Sequence, residues 1–221
     1  MATLVKICGL TSTEAADAAA RAGADFAGLV FFPRSPRFLK AGVAASLANR
    51  MRGRVRLVAL VADANDEEIA AAVAAAKPDY LQLHGGETPE RVASVRMRFN
   101  LPVIKSIAIA DSGDLAVVPR YEAICDMLLL DAKAPVNAER PGGHGAAFDW
   151  QLLHNRTFAK PWLLAGGLNA ENVGRAIHVS GAPGVDVSSG VETAPAVKSA
   201  QMIRDFISAA RSAQFAKVPQ A

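Results

Sequence analysis

Short apolar runs rich in Val, Leu and Ile recur along the chain: TLVKICG, DFAGLVFF, VRLVALVA, DYLQLHG, LPVIKSIA, DMLLLDAK, PWLLAGG and GVDVSSG. Polar alternation is weak within them, as expected of strands covered on both faces in a parallel sheet. Their ends fall near residues 8, 31, 61, 84, 105, 131, 165 and 187. Ala-rich helical patterns separate most of them. Thr11 with Glu14 and Asn65 with Glu68 have capping-box spacing, and Thr88 precedes Pro89 at a first-turn position. From about Pro195 to Ala213 the residues Val197, Ala200, Ile203, Phe206, Ile207 and Ala210 repeat at helical spacing.

Eight such units without a compositional break predict one closed (β/α)8 barrel, an eight-stranded parallel TIM barrel over residues 1–213, with 214–221 as a flexible tail. A doubly wound open sheet of the same units is the structural competitor. The stretch Ala134 to Trp150 is rich in Pro and Gly, which predicts a long loop before a short helix, and loops of that length are uncommon unless functional.

Composition narrows the function. The chain is 51% hydrophobic and 20% charged, enough for a large core and unlike a disordered segment. A net charge of only +3 without a dense basic run argues against a nucleic-acid partner and suits a small anionic substrate. The two cysteines, Cys8 and Cys125, lie far apart with no CxxC pair, so neither a disulfide framework nor a thiolate metal site is expected. No apolar run approaches the roughly 18 residues of a membrane span, and the opening residues carry no long apolar segment. A cytoplasmic enzyme, monomeric or homodimeric, is the expectation.

In a barrel of this type the active site lies at the C-terminal ends of the strands. Cys8, His84, Lys105, Asp131 and Lys133 occupy such positions. Cys8 reads either as a general base, if neighbouring positive charge lowers its pKa, or as a small buried hydrophobe. Asp131 reads as a general acid or base, or as the ion-pair partner of Lys133 or Lys105. His84 reads as a ligand or a hydrogen-bonded structural residue, and the remaining histidines show no metal-ligand spacing with it. Arg34 and Arg37 sit in a Pro-punctuated loop where a guanidinium can fork onto a carboxylate or simply be solvated. LLAGGLNAENV and GVDVSSGVE each run from a strand through a Gly-rich turn to a helix start, and paired turns after the last two strands are the usual phosphate site of these barrels.

The stretches KICGLT, GLVFFPRSPRF, LQLHGGE, LLLDAK, PGGHGAAFDW, LAGGLNAENV and DVSSGVE, from residue 6 to residue 192, together resemble the phosphoribosylanthranilate isomerase family. The resemblance implies an Amadori rearrangement of N-(5-phosphoribosyl)anthranilate to the 1-deoxyribulose aminoketose in tryptophan biosynthesis, without metal or organic cofactor. It makes Asp131 the general acid and Cys8 the general base. Arg37, His84 and Asp186 become substrate-binding residues, Gly166, Gly167, Ser189 and Gly190 the phosphate turns, and the loop around Gly142, Gly143 and Gly145 a lid. His144 stands where the family commonly has Thr or Ser, and Ala146 where Lys is common. Outside the family, a lyase using Lys105 or Lys133 as Schiff base, a metal-dependent sugar-phosphate epimerase and a non-catalytic sugar-phosphate sensor are the rivals.

Overall fold

The computed structural model describes residues 2–134 and 147–213. Eight parallel strands close into a barrel in chain order: β1 (Leu4–Cys8), β2 (Phe26–Val30), β3 (Arg56–Val61), β4 (Tyr80–Leu83), β5 (Val103–Ile109), β6 (Met127–Ala132), β7 (Trp162–Leu164) and β8 (Gly184–Val187), with β8 paired back to β1 through Lys6 and Asp186. Closure removes every free edge of the sheet, and excludes the open doubly wound alternative.

Helices α1 (Thr13–Arg21), α2 (Ala41–Met51), α3 (Asp66–Ala76), α4 (Pro89–Phe99), α5 (Val118–Glu122), α6 (Val173–Ser180) and α7 (Ala200–Ser212) surround it. The start signals are mostly those the sequence carries. Asn65 and Glu68 form a reciprocal capping box, and Thr88 caps α4 with Pro89 at its first position. The cap of α1 is Ser12, whose side chain accepts from the Ala15 amide, and not Thr11, whose hydroxyl instead donates to the Ala196 carbonyl.

Strand alternation sorts the core into layers. Outward residues such as Val5, Ile7, Leu57, Leu81 and Leu130 join the apolar faces of the helices, including Ile203, Phe206 and Ile207 of α7. Inward residues Phe26, Val58, Ile104, Met127, Leu129, Leu163 and Ala165 fill the barrel itself, and Cys8, Val30, Phe32, Leu60 and Ala62 form a separate group nearer the mouth.

Two elements differ from expectation. The final helix begins at Ala200, capped by Ser199, because residues 192–198 form a small antiparallel hairpin of β9 (Glu192–Ala194) and β10 (Val197–Lys198). Ala196 at its turn has φ 65°, a left-handed conformation incompatible with continuing a helix, and Val197 is exposed rather than part of the stripe. The segment at Trp150–Leu153 is a single 3-10 turn. The expected lid glycines Gly142, Gly143 and Gly145, with His144 and Ala146, and the tail 214–221 lie outside the described residues.

Candidate active site

The mouth of the barrel gathers Cys8 from the end of β1, His84 just after β4, Asp131 from β6, Asp186 from β8 and Arg37 from the loop after β2. Lys105 does not belong to this group. Strand β5 runs to Ile109, past the end expected near residue 105, so Lys105 lies mid-strand with its side chain on the outer face. There its ammonium donates to the carbonyls of Leu83 and Gly85 and, at 2.7 Å, to the Glu87 carboxylate. Lys133 pairs with Asp114 at the surface. Both lysine side chains are paired with carboxylates away from the barrel mouth, which places neither where a Schiff-base lysine would meet a substrate.

Asp131 is buried, with one oxygen accepting the Ala132 amide at 2.9 Å and the other 3.3 Å from His84 Nε2. Its partner is therefore His84, and neither Lys133 nor Lys105. On the far side of the imidazole, Nδ1 lies 2.8 Å from Gln82 Nε2. The imidazole thus bridges the Gln82 amide and the Asp131 carboxylate, one ring nitrogen to each. Gln82, fully buried on β4, is the member of this row that the sequence did not single out; its spacing of two from His84 places both on the inner face.

Cys8 is buried, separated from Asp131 around the ring by β7 and β8. A β-carbon at Gly28 would sit 2.9 Å from the thiol, so glycine is what leaves room for Sγ on the neighbouring strand. The expected lowering of its pKa is not the net result in this environment. Burial pushes the thiol up, the Asp186 charge adds to that, and Lys6 and Lys198 oppose both. Lys6 donates to Asp186 at 2.9 Å, with both side chains withdrawn from solvent. Burial works against the Lys6 ammonium, yet the charges of Asp186 and Cys8 outweigh it and hold its pKa above the ordinary value.

Arg37 is buried and forks onto Glu192, Nε to Oε1 and Nη2 to Oε2, both at 2.7 Å. Its aliphatic stem crosses directly over Gly9, whose φ of 76° and missing side chain make the crossing feasible. Glu192 also accepts from Lys198 at 2.6 Å, and the two cations hold its carboxyl below the usual range despite burial. Lys198 in turn donates to the carbonyl of Ser188 at 2.9 Å, and the Ser188 hydroxyl to the carbonyl of Cys8. Glu192 closes the DVSSGVE stretch, but Lys198 has no signal in the sequence, because the apolar spacing around it predicts a helix where the chain forms the hairpin that delivers it.

After β7 and β8 the chain makes two turns that touch. Gly166 and Gly167 have φ of 90° and 62°, and their amides make no backbone hydrogen bond among the described residues. Gly190 lies so close to the Leu168 carbonyl that a β-carbon would overlap it. Asn169 and Asn172 accept each other's backbone amides and fix the first turn. Such convergent, half-buried amides suit an anion.

Comparison with known proteins resolves the class. A family model described as N-(5'phosphoribosyl)anthranilate (PRA) isomerase matches residues 5–209. The chain belongs to the phosphoribosylanthranilate isomerase family. The N-(5'-phosphoribosyl)anthranilate isomerase of Rhodopseudomonas palustris is 52% identical over 96% of this chain and 100% of its own. The crystal structure of the Thermotoga maritima phosphoribosyl anthranilate isomerase superposes with a TM-score of 0.83 at 33% identity, over 95% of this chain and 99% of that one. A phosphoribosyl anthranilate isomerase crystallised in complex with reduced 1-(o-carboxyphenylamino)-1-deoxyribulose 5-phosphate superposes at 0.80 with 31% identity, with the same coverage. The isomerase family accounts for the barrel and the motifs. Among the described residues no group of three or more His, Cys, Asp and Glu side chains is placed to hold a metal ion, and no helix is long and apolar enough to cross a membrane.

Proposed function

We propose that this chain, as a single barrel domain, isomerises N-(5'-phosphoribosyl)anthranilate to 1-(2-carboxyphenylamino)-1-deoxyribulose 5-phosphate, with Asp131 as general acid and Cys8 as general base. The observation that carries the reading is the separation of two proton-handling groups at one barrel mouth. Asp131 has its own partner in His84, Cys8 its own cations in Lys6 and Lys198, and the neighbouring turns after β7 and β8 are open to an anion. Acid and base in distinct environments can be tuned independently.

In this reading the phosphate rests on the amides of Gly166, Gly167, Ser189 and Gly190. Protonated Asp131 delivers its proton to the furanose ring oxygen as the C1′–O bond breaks, and the anilino nitrogen lone pair forms the Schiff base. The Cys8 thiolate takes the C2′ proton, and the resulting enolamine becomes the ketone by gaining a proton at C1′ and losing the proton of its C2′ hydroxyl. No atom is gained or lost, so no cofactor is needed. Arg37 and Lys198 together outnumber Glu192 by one charge, which favours the anthranilate carboxylate beside them. The bound reduced product analogue in a family member of the same fold supports this choice of substrate.

The test is a fluorescence assay with freshly generated phosphoribosylanthranilate in EDTA. Decay of the anthranilate-type emission faster than spontaneous hydrolysis, with the aminoketose as product, is the expected result. Cys8→Ser and Asp131→Asn should each fold and lose on the order of 10²- to 10⁴-fold in kcat. Absence of acceleration by folded protein would overturn the substrate, and near-normal turnover in either variant would overturn that residue's role.

A further inference from the structure

Resting on the reading of Cys8 as base, we infer that Lys6, assisted by Lys198, is the positioning cation that sustains the Cys8 thiolate inside the barrel. Lys6 and Cys8 are two residues apart on β1, so both side chains project to the interior, with Lys6 one layer below the thiol. Lys6 is fully buried and has a carboxylate partner on β8, Asp186, at 2.9 Å. An ammonium taken out of water on a strand directly beneath a nucleophile is costly unless its charge is used. From above, Lys198 reaches the same strand end: its ammonium lies 2.9 Å from the Ser188 carbonyl and 3.3 Å from the Ser188 hydroxyl, which itself donates to the Cys8 carbonyl.

Charge balance points the same way. The groups packed around this end of β1 are Lys6 from β1, Asp186 from β8, Lys198 from β10, Glu192 from β9 and Arg37 from the loop after β2, while β2 contributes only the bare Gly28. Three cations thus face two carboxylates, with Lys6, Arg37, Lys198 and Glu192 all nearly or fully withdrawn from solvent. Among the described residues one surplus positive charge is left at this end of β1, which favours ionised Cys8 before the substrate carboxylate arrives. Asp186 moderates it: by holding Lys6 at one side it keeps the cation in the barrel and, through its own charge, prevents over-stabilisation of the thiolate. Burial disfavours the ionised thiol, and Lys6 is the strongest opposing influence on it, ahead of Lys198.

The test follows Cys8 ionisation directly, by thiolate ultraviolet absorbance and by the pH dependence of its alkylation, in substrate-free protein carrying Cys125→Ala so that one thiol reports. Lys6→Met should move the midpoint up by about one pH unit, a tenfold loss of thiolate at a given pH, and displace the acid limb of kcat upward by the same interval, so that activity recovers as pH rises. Lys6→Arg should restore the midpoint. Lys198→Met, at the rim and outside the barrel strands, should shift it in the same direction by less, and serves if Lys6→Met does not fold. An unmoved midpoint in folded Lys6→Met, or in Lys198→Met where only that variant folds, would overturn the inference and leave Lys6 as a purely structural partner of Asp186. Because ionisation is read without substrate, this failure is distinct from failure of the base assignment, which Cys8→Ser turnover reports.

Discussion

His84 Nε2 stands 3.3 Å from Asp131 Oδ2, spanning the barrel mouth between the ends of β4 and β6. Once Asp131 has released its proton, the carboxylate lies beside the His84 ring nitrogen, with Gln82 holding the ring from behind. The two residues therefore act as one unit. His84→Ala is expected to lower kcat by about tenfold, less than Asp131→Asn, and the double variant should be no worse than Asp131→Asn alone. Steady-state kcat of the three proteins decides this, since independent roles would give losses that multiply.

The phosphate turns are pinned to one another where Gly190 rests against the Leu168 carbonyl. A methyl group there has no space, and the obstacle is backbone, which cannot rotate away. Gly190→Ala should thus spread the two turns, raise KM for the substrate by at least about tenfold and cost about 2 kcal/mol of stability. Measured KM together with urea unfolding distinguishes this from a local effect: unchanged KM in a destabilised protein would remove Gly190 from the substrate site.

Most of this architecture was legible in the chain. The apolar runs give strands because each is covered on both faces, their ends pick out Cys8, His84 and Asp131 at the mouth, and the family resemblance adds Asp186. What the sequence concealed is who pairs with whom. Lys105 sits at the end of an apolar run in the sequence, but β5 continues four residues further, which turns its ammonium outward to Glu87. Lys198 lies in a stretch whose apolar spacing imitates a helix, whereas the left-handed Ala196 folds it into a hairpin. Partners such as Arg37 and Glu192, 155 residues apart, are joined only by closure of the barrel, which no local pattern records.

Arg37 carries a planar fork whose Nε and Nη2 are committed to Glu192. A lysine keeps the charge but cannot make two parallel bonds, and would leave Glu192 to Lys198 alone. Arg37→Lys is accordingly expected to raise KM for phosphoribosylanthranilate about tenfold with a smaller change in kcat, and Arg37→Ala to raise it further. Equal KM for wild type and Arg37→Ala would reject a role at the anthranilate carboxylate.

The buried Lys105–Glu87 pair, 2.7 Å apart, braces the loop that carries His84, since Glu87 also accepts the amides of Asp63 and Gly85. Burial raises the Glu87 pKa, but Lys105 and these amides outweigh it and hold the carboxyl below its ordinary value of 4.5. A carboxylate so depressed contributes stability that is fully present above 4.5 and lost as pH falls through its lower folded value. Lys105→Met removes the main opposing charge, so burial then prevails and the folded pKa rises above the ordinary one. At neutral pH the variant carries an uncompensated buried charge, at a cost of about 3–5 kcal/mol. As pH falls, Glu87 in the variant takes up its proton early and sheds that penalty, while the wild type begins to lose its own stabilisation. The gap between the two proteins in urea unfolding should therefore narrow steadily from neutral pH towards 4.5 and below. A gap that stays constant over that interval would show that the cost of losing Lys105 lies in packing, including its contact with the Tyr121 ring 5.6 Å from the ammonium, and not in the Glu87 charge.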